Sequence, residues 1–282
     1  MPELPEVETY LQELTPALRG RCICGGTVRW PRTIERPDVT TFLATINGFQ
    51  FVDFARRGKY MLLGLDHTVR RERQTLIIHL RMTGHVTVYD KAVAPDKHTH
   101  VILDLTDGGQ VHFQDSRKFG RLWLVSEPEE ILSKLGPEPL SEDFVAAEFA
   151  QRLTGRSATI KALLLDQSIV AGVGNIYADE SLYLAGIHPA RTGDSLAFPE
   201  VLKLQQAIQT ILAQAIAGHG SSLGGSSIQN YQRPSGEPGS FQEQHRVFQR
   251  TGQPCATCGT QIQRIVITQR STHFCPTCQP AA

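Results

Sequence analysis

Apolar residues at Val7, Leu11, Leu14 and Leu18 recur at spacings of three and four, which predicts a helix from Pro5 to about Gly20. Proline suits the first turn of a helix and glycine its end, so both boundaries agree with the period. From about Gly25 to Val125 the pattern changes to short strands. Candidates are 49–54 and 59–65 around a turn at Gly58, then 75–80, 85–89, 100–105 and 110–114. Asp107-Gly108-Gly109 between the last two is a hairpin signal. Several short strands at this spacing predict a β-sandwich. Helical periods return at about 142–154, 158–166, 175–185 and 199–217. Residues 218–240 are rich in Gly and Ser, contain Pro234 and Pro238, and read as a long loop of the kind that often carries function. The tail from about 241 reads as a separate small unit. The expected fold class is α+β, with no internal repeat and no coiled coil.

Composition adds limits. At 282 residues and 40% hydrophobic, the chain is long enough for a sizeable core and about two domains. No stretch of about 18 apolar residues occurs, so no membrane span is expected. The acidic start, Met-Pro-Glu-Leu-Pro-Glu, lacks the charge and apolar run of a secretory signal, and a cytoplasmic location is expected.

The formal net charge is zero, but the charge is uneven. Residues 126–148 hold seven acids against one base, Lys134, while the tail 240–282 has four arginines (Arg246, Arg250, Arg264, Arg270) and one acid, Glu243. A local basic face and scattered solvated charge both fit this distribution.

Four of the six cysteines form two CxxC pairs, Cys255/Cys258 and Cys275/Cys278, with sixteen residues between them. Each pair brings two thiolates to one side of a tight knuckle, and a hairpin between the pairs joins the knuckles. Four thiolates complete a tetrahedron and leave no place for water, so one structural Zn2+ is expected rather than a catalytic one. Disulfides or free thiols are the alternative, disfavoured in a reducing compartment. A tail of this size has too little core to fold alone, so the metal would supply folding energy.

Pro2 follows the initiator Met, which is normally clipped before proline. Its secondary amine could attack a sugar's anomeric carbon and form a cationic iminium, an electron sink that permits elimination of a phosphate. Glu3 and Glu6 could serve as general acid and electrostatic partner, and the positive end of the first helix would favour the neutral amine. The plainer reading is that these glutamates only complement the helix dipole.

Read together, the motifs narrow the choice. Met-Pro-Glu-Leu-Pro-Glu-Val-Glu-Thr, Arg57-Gly58-Lys59-Tyr60, His79-Leu-Arg-Met-Thr-Gly84, Lys97-His98, Asp115-Ser-Arg-Lys-Phe-Gly120, Gly172-Val-Gly-Asn-Ile-Tyr-Ala178, Ala185-Gly-Ile-His-Pro189 and the four cysteines occur in order. In this the chain resembles the bacterial formamidopyrimidine-DNA glycosylases over essentially its whole length. The resemblance implies a bifunctional DNA glycosylase/AP lyase of base excision repair. It would flip out and excise oxidised purines (8-oxoguanine, formamidopyrimidines) through a Schiff base, then nick the strand by β,δ-elimination. It also implies Pro2 as nucleophile, Glu3 as proton donor, Lys59 in β-elimination and Arg270 as the finger arginine of δ-elimination.

A base inside a duplex must be extruded, which costs a few kcal/mol of stacking, and wedge side chains fill the gap. Met82, Arg117 and Phe119 match the family's wedge, although Met and Phe in isolation would more often be core. Arg156, Lys161, His98 and Asn175 match further DNA-contact positions. Asn175 would cap the helix 175–185 beside a phosphate seat.

The implied organisation is a catalytic β-sandwich over 1–135, a helix-two-turn-helix domain over 136–222, a lesion-capping loop and connector over 223–245 and a zinc finger over 246–280. Double-stranded damaged DNA is the expected partner, with no membrane and a monomeric state. Thr83 stands where some members carry glutamate and others serine, and Ser116 replaces a common proline. Cys22 and Cys24 match no known role. Two other readings remain: an endonuclease VIII-like enzyme for oxidised pyrimidines, whose members usually begin Pro-Glu-Gly-Pro-Glu, and a zinc-ribbon DNA-binding module without catalysis.

Overall fold

The computed structural model describes residues 2–223, 231 and 233–281. Residues 224–230 and 232 of the expected lesion-capping loop lie outside the described residues. The chain forms two compact units. One comprises residues 1–133 with 221–239, the other 134–220 with 240–282.

The first unit begins with α1 (Leu4–Leu18), which buries Val7, Leu11, Leu14 and Leu18 as the period requires. The chain leaves it through Gly20 at φ 82, a backbone conformation that favours glycine. β1 (Ile23–Val28), β2 (Ile34–Arg36), α2 (Val39–Ile46), β3 (Phe49–Arg57), β4 (Tyr60–His67), β5 (Arg73–His79), β6 (Gly84–Tyr89), β7 (Thr99–Leu105), β8 (Gln110–Asp115), β9 (Arg121–Val125) and the short α3 (Glu129–Leu132) follow. Two sheets result, in the orders β1-β7-β8-β6 and β2-β9-β5-β4-β3. Neighbours are antiparallel except β2 and β9.

One core cluster takes side chains from both sheets and from α1 and α2, among them Leu14, Phe42, Phe51, Leu63, Val101 and Phe113. Strand periodicity alone did not reveal α2. Asp38 caps it by accepting from Thr41 N at 3.0 Å, and Phe42 and Ile46 turn inward one helical turn apart. Tertiary burial of that face selects helix although most of its residues, three threonines among them, are β-branched.

The second unit holds α4 (Ala146–Leu153), α5 (Ile160–Leu165), α6 (Asn175–Ala185), α7 (Phe198–Ala217) and the hairpin β10 (Gln263–Ile267) with β11 (Arg270–Phe274). The helices lie where the sequence period put them, with shorter ends for the first two. Gly186 at φ 70 closes α6. Asn175, expected as a cap, is instead the first helical residue, and Gly174 takes the cap position. No helix among the described residues is long and apolar enough to cross a membrane.

Candidate active site and nucleic-acid interface

In the first unit the start of α1 is fixed by its own acids. Glu6, fully buried, accepts from Glu3 N at 2.7 Å through Oε2 and from Ser221 N at 2.8 Å through Oε1. Carboxylates at a helix N-terminus satisfy N–H groups that have no partner within the helix. Glu3 itself is 2% exposed.

Pro2 forms part of the wall of a cavity of ≈ 370 Å³, which Met82, Thr83, His98, Gln114 and Tyr231 also line. The segment that closes one side of it is held to α1. Glu13 pairs with Arg233 and accepts from Ser235 N at 3.1 Å, and the Tyr231 ring packs on Tyr10 at 5.8 Å. Asp96, which accepts from His98 N at 2.9 Å, shapes the turn that carries His98.

Lys59 does not line this cavity. It follows Gly58 (φ 55) in the β3–β4 turn and is 7% exposed. The nearby His79 is buried; desolvation, with Arg81 and Lys59 adding positive charge, pushes its pKa down to about 3. His79 is therefore a neutral imidazole, and its Nδ1 accepts from Arg81 N at 2.9 Å.

Arg117 and Phe119 stand exposed on the loop after β8. The guanidinium lies 4.8 Å from the centre of the Phe119 ring. Phe119 is 46% exposed. Lys118 between them has φ 61 and rests its ammonium on Trp30, 3.9 Å from the ring centre.

In the second unit the four cysteine sulfurs lie within 4.8 Å of one another. Cys255 and Cys278 are 3.8 Å apart, and Cys258 and Cys275 are 3.4 Å apart. Tetrahedral Zn–S bonds of about 2.3 Å place sulfurs about 3.8 Å apart, so the donor set fits one zinc ion. All four thiols are unbridged. Each knuckle turns a backbone N–H onto its first sulfur: Thr257 N to Cys255 and Cys278 N to Cys275, both at 3.4 Å.

Two residues without a sequence signal tie the knuckles to α6 and the turn after it. Gln279 accepts from Cys275 N and donates to Ile187 O, and the Tyr183 hydroxyl lies 3.2 Å from Cys255 Sγ.

Helix α6 also organises the finger hairpin. Asn175 Nδ2 donates to Ser271 O at 3.0 Å, next to Arg270. Asp179 accepts from His273 N at 2.9 Å, and Glu180 takes the N–H groups of Arg246, Val247 and Phe248. Arg270 is exposed at the start of β11, after a turn in which Thr268 and Gln269 both have positive φ. Arg156 is exposed between α4 and α5.

Lys161 departs from expectation. It is 0% exposed, and its Nζ is 2.6 Å from Asp179 Oδ1 and 2.8 Å from Asn175 O. Its charge is paired inside the unit, where it supports the start of α6 through Asn175 O. The sequence pattern could not reveal this, because an isolated lysine normally points to solvent.

The β-sandwich with a buried acidic helix start, the helical unit and the four-cysteine knuckle together define a zinc-finger protein of the DNA glycosylase class. Three family models cover nearly the whole chain. The formamidopyrimidine-DNA glycosylase N-terminal domain matches residues 1–122, the H2TH domain of the same enzymes 135–227, and the zinc finger found in FPG and IleRS 252–281. The chain belongs to the formamidopyrimidine-DNA glycosylase family.

Among its relatives, the formamidopyrimidine-DNA glycosylase of Desulfitobacterium hafniense is 46% identical over 99% of this chain and 100% of its own length. That of Chloroflexus aggregans is 47% identical over 99% and 98%. The crystal structure of the MutM (Fpg) protein of Thermus thermophilus superposes with TM-score 0.87 at 40% identity over all of both chains. The Lactococcus lactis Fpg in complex with a Fapy-dG containing DNA gives 0.88 at 35% identity, over 99% of this chain and 100% of that one.

Proposed function

We propose that this chain excises oxidised purines from double-stranded DNA and then cleaves the strand at the resulting abasic site. The observation that carries this reading is the position of Pro2 in the wall of the ≈ 370 Å³ cavity, at the start of a helix whose end is held by buried carboxylates. Relatives bound to Fapy-dG containing DNA and to DNA with an abasic site support the substrate class.

With Met1 removed, the Pro2 nitrogen attacks C1′ of the extruded nucleotide while Glu3 delivers a proton that helps the base depart. The product is an iminium between Pro2 and the opened deoxyribose. A base takes the C2′ proton, and the C–H electron pair passes into the iminium to give an enamine. The enamine re-forms the iminium as it expels the 3′ phosphate, and a second elimination releases the 5′ phosphate. Lys59 serves the first elimination and Arg270 the second. Met82, Arg117 and Phe119 occupy the space left by the extruded nucleotide; His98, Arg156 and Asn175 hold the backbone. The zinc ion holds the finger and takes no part in bond-making.

Borohydride trapping on an 8-oxoguanine:cytosine duplex tests the reading. A covalent adduct is expected with the native protein and is lost in Pro2→Gly and much reduced in Glu3→Gln. Folded protein lacking Met1 that gives no adduct overturns the enzyme reading and leaves a DNA-binding module. A preference for oxidised pyrimidines would favour the endonuclease VIII-like alternative.

A further inference from the structure

Asp115 closes β8, opposite Gly84 of β6, and is fully buried. The chemistry proposed above does not use it, yet it touches every first-unit loop assigned to the duplex. Its Oδ1 accepts from Arg117 N at 3.0 Å and from the Thr83 hydroxyl. Its Oδ2 accepts from Phe119 N and Gly120 N, both at 2.7 Å. Its main-chain N–H donates to His98 O at 2.9 Å, and its carbonyl accepts from His100 Nε2 at 2.7 Å.

A carboxylate offers about four lone-pair directions and no donor, and four donors converge on this one. An amide in its place would offer one acceptor oxygen and set its NH2 against at least one of the three N–H groups. The loop requires such a clasp. Lys118 holds φ 61, a region that residues other than glycine rarely occupy, and Phe119 is exposed. Gly120 allows the turn to pass close, since a Cβ there would sit 2.3 Å from Phe113 Cζ.

We infer that Asp115 is the positioning residue that presets the wedge: one buried carboxylate locks the Met82–Thr83 turn to the Arg117–Phe119 loop, so that all three side chains enter the duplex as one body. This inference rests on the proposed glycosylase function. Side chains ordered in advance lose less freedom on insertion, and a misplaced wedge slows every step that waits for extrusion. Thr83 carries the link between the two loops. Its hydroxyl donates to Asp115 while its neighbour Met82 lines the cavity that holds Pro2.

The test compares two substrates under single turnover: an 8-oxoguanine:cytosine duplex, which must be opened, and a single-stranded abasic oligonucleotide, which needs no strand separation. Asp115→Asn is expected to lose ~10- to 100-fold in rate on the duplex and to stay within ~3-fold in borohydride trapping on the single strand. Thr83→Val should show the same selective loss to a smaller degree, and Thr83→Ser should restore the rate. Combined with Phe119→Ala, Asp115→Asn should add little, because both disable one device.

Equal loss on both substrates would reduce Asp115 to a general support of the fold and overturn the inference, as would an unchanged duplex rate. If Asp115→Asn does not fold, Thr83→Val decides, since it leaves the carboxylate and its three N–H donors in place. Native protein that traps no abasic site would instead sink the proposed function itself.

Discussion

The Glu6 carboxylate accepts the Ser221 N–H at 2.8 Å across 215 residues of sequence, while its other oxygen holds Glu3 N at 2.7 Å. One side chain thus sets both the start of the chain and the first residue of the segment that returns to this unit. Glu6→Gln would place an NH2 group against one of two buried N–H donors, at a cost of about 1–3 kcal/mol. The expected result is a lower melting temperature for the first unit and weaker trapping on abasic DNA. Native-like stability and trapping would show that the link is dispensable.

Lys161 and Asp179 form an ion pair in which both side chains are 0% exposed. Removing one partner leaves a buried charge without compensation and typically costs about 3–5 kcal/mol. Lys161→Met should therefore destabilise the second unit strongly, as read by denaturant unfolding. The salt dependence of DNA affinity should keep its slope, because a buried lysine releases no counterion. A slope reduced by about one, with unchanged stability, would return Lys161 to the phosphate-contact role expected from the sequence.

The Tyr183 hydroxyl lies 3.2 Å from Cys255 Sγ and 2.7 Å from Thr257 Oγ1. Burial and the adjacent thiol push its pKa up to about 12, so it is a neutral phenol with one proton to donate. A zinc-bound thiolate only accepts, so Thr257 donates to the phenol and the phenol to sulfur. Hydrogen bonds of this kind orient metal ligands, and losing them typically costs about 10- to 100-fold in metal affinity. Tyr183→Phe should release zinc to a chromogenic chelator faster by about that factor. Equal release rates would remove the hydrogen bond from the account of metal retention.

His79 and His245 are held neutral by burial, with pKa values lowered to about 3 and about 4. In the unfolded chain each protonates near pH ~6.5. Below that pH the unfolded state binds protons that the folded state refuses. Stability is fully present above about pH 6.5 and falls as the pH drops toward ~4, by up to ~1.4 kcal/mol per pH unit for each histidine. Thermal melts across this range should show a shallower decline in His79→Asn, whose side-chain oxygen can still accept from Arg81 N. Identical slopes would mean that other groups govern acid sensitivity.

Much of this protein was legible before folding was considered. The apolar period of α1, the alternation of the strands, the helices of the second unit and the paired CxxC knuckles are local patterns, and each survives in the structure. Local spacing sets which face of a helix is apolar and which thiolates can share one ion.

Tertiary structure alone decided where the polar groups go. It buried Lys161 against Asp179, aimed four donors at Asp115, and brought Tyr183 to Cys255 and Ser221 to Glu6. The physical reason is that a buried polar group must find its partner in space. That partner is set by the packing of distant elements and has no period along the chain.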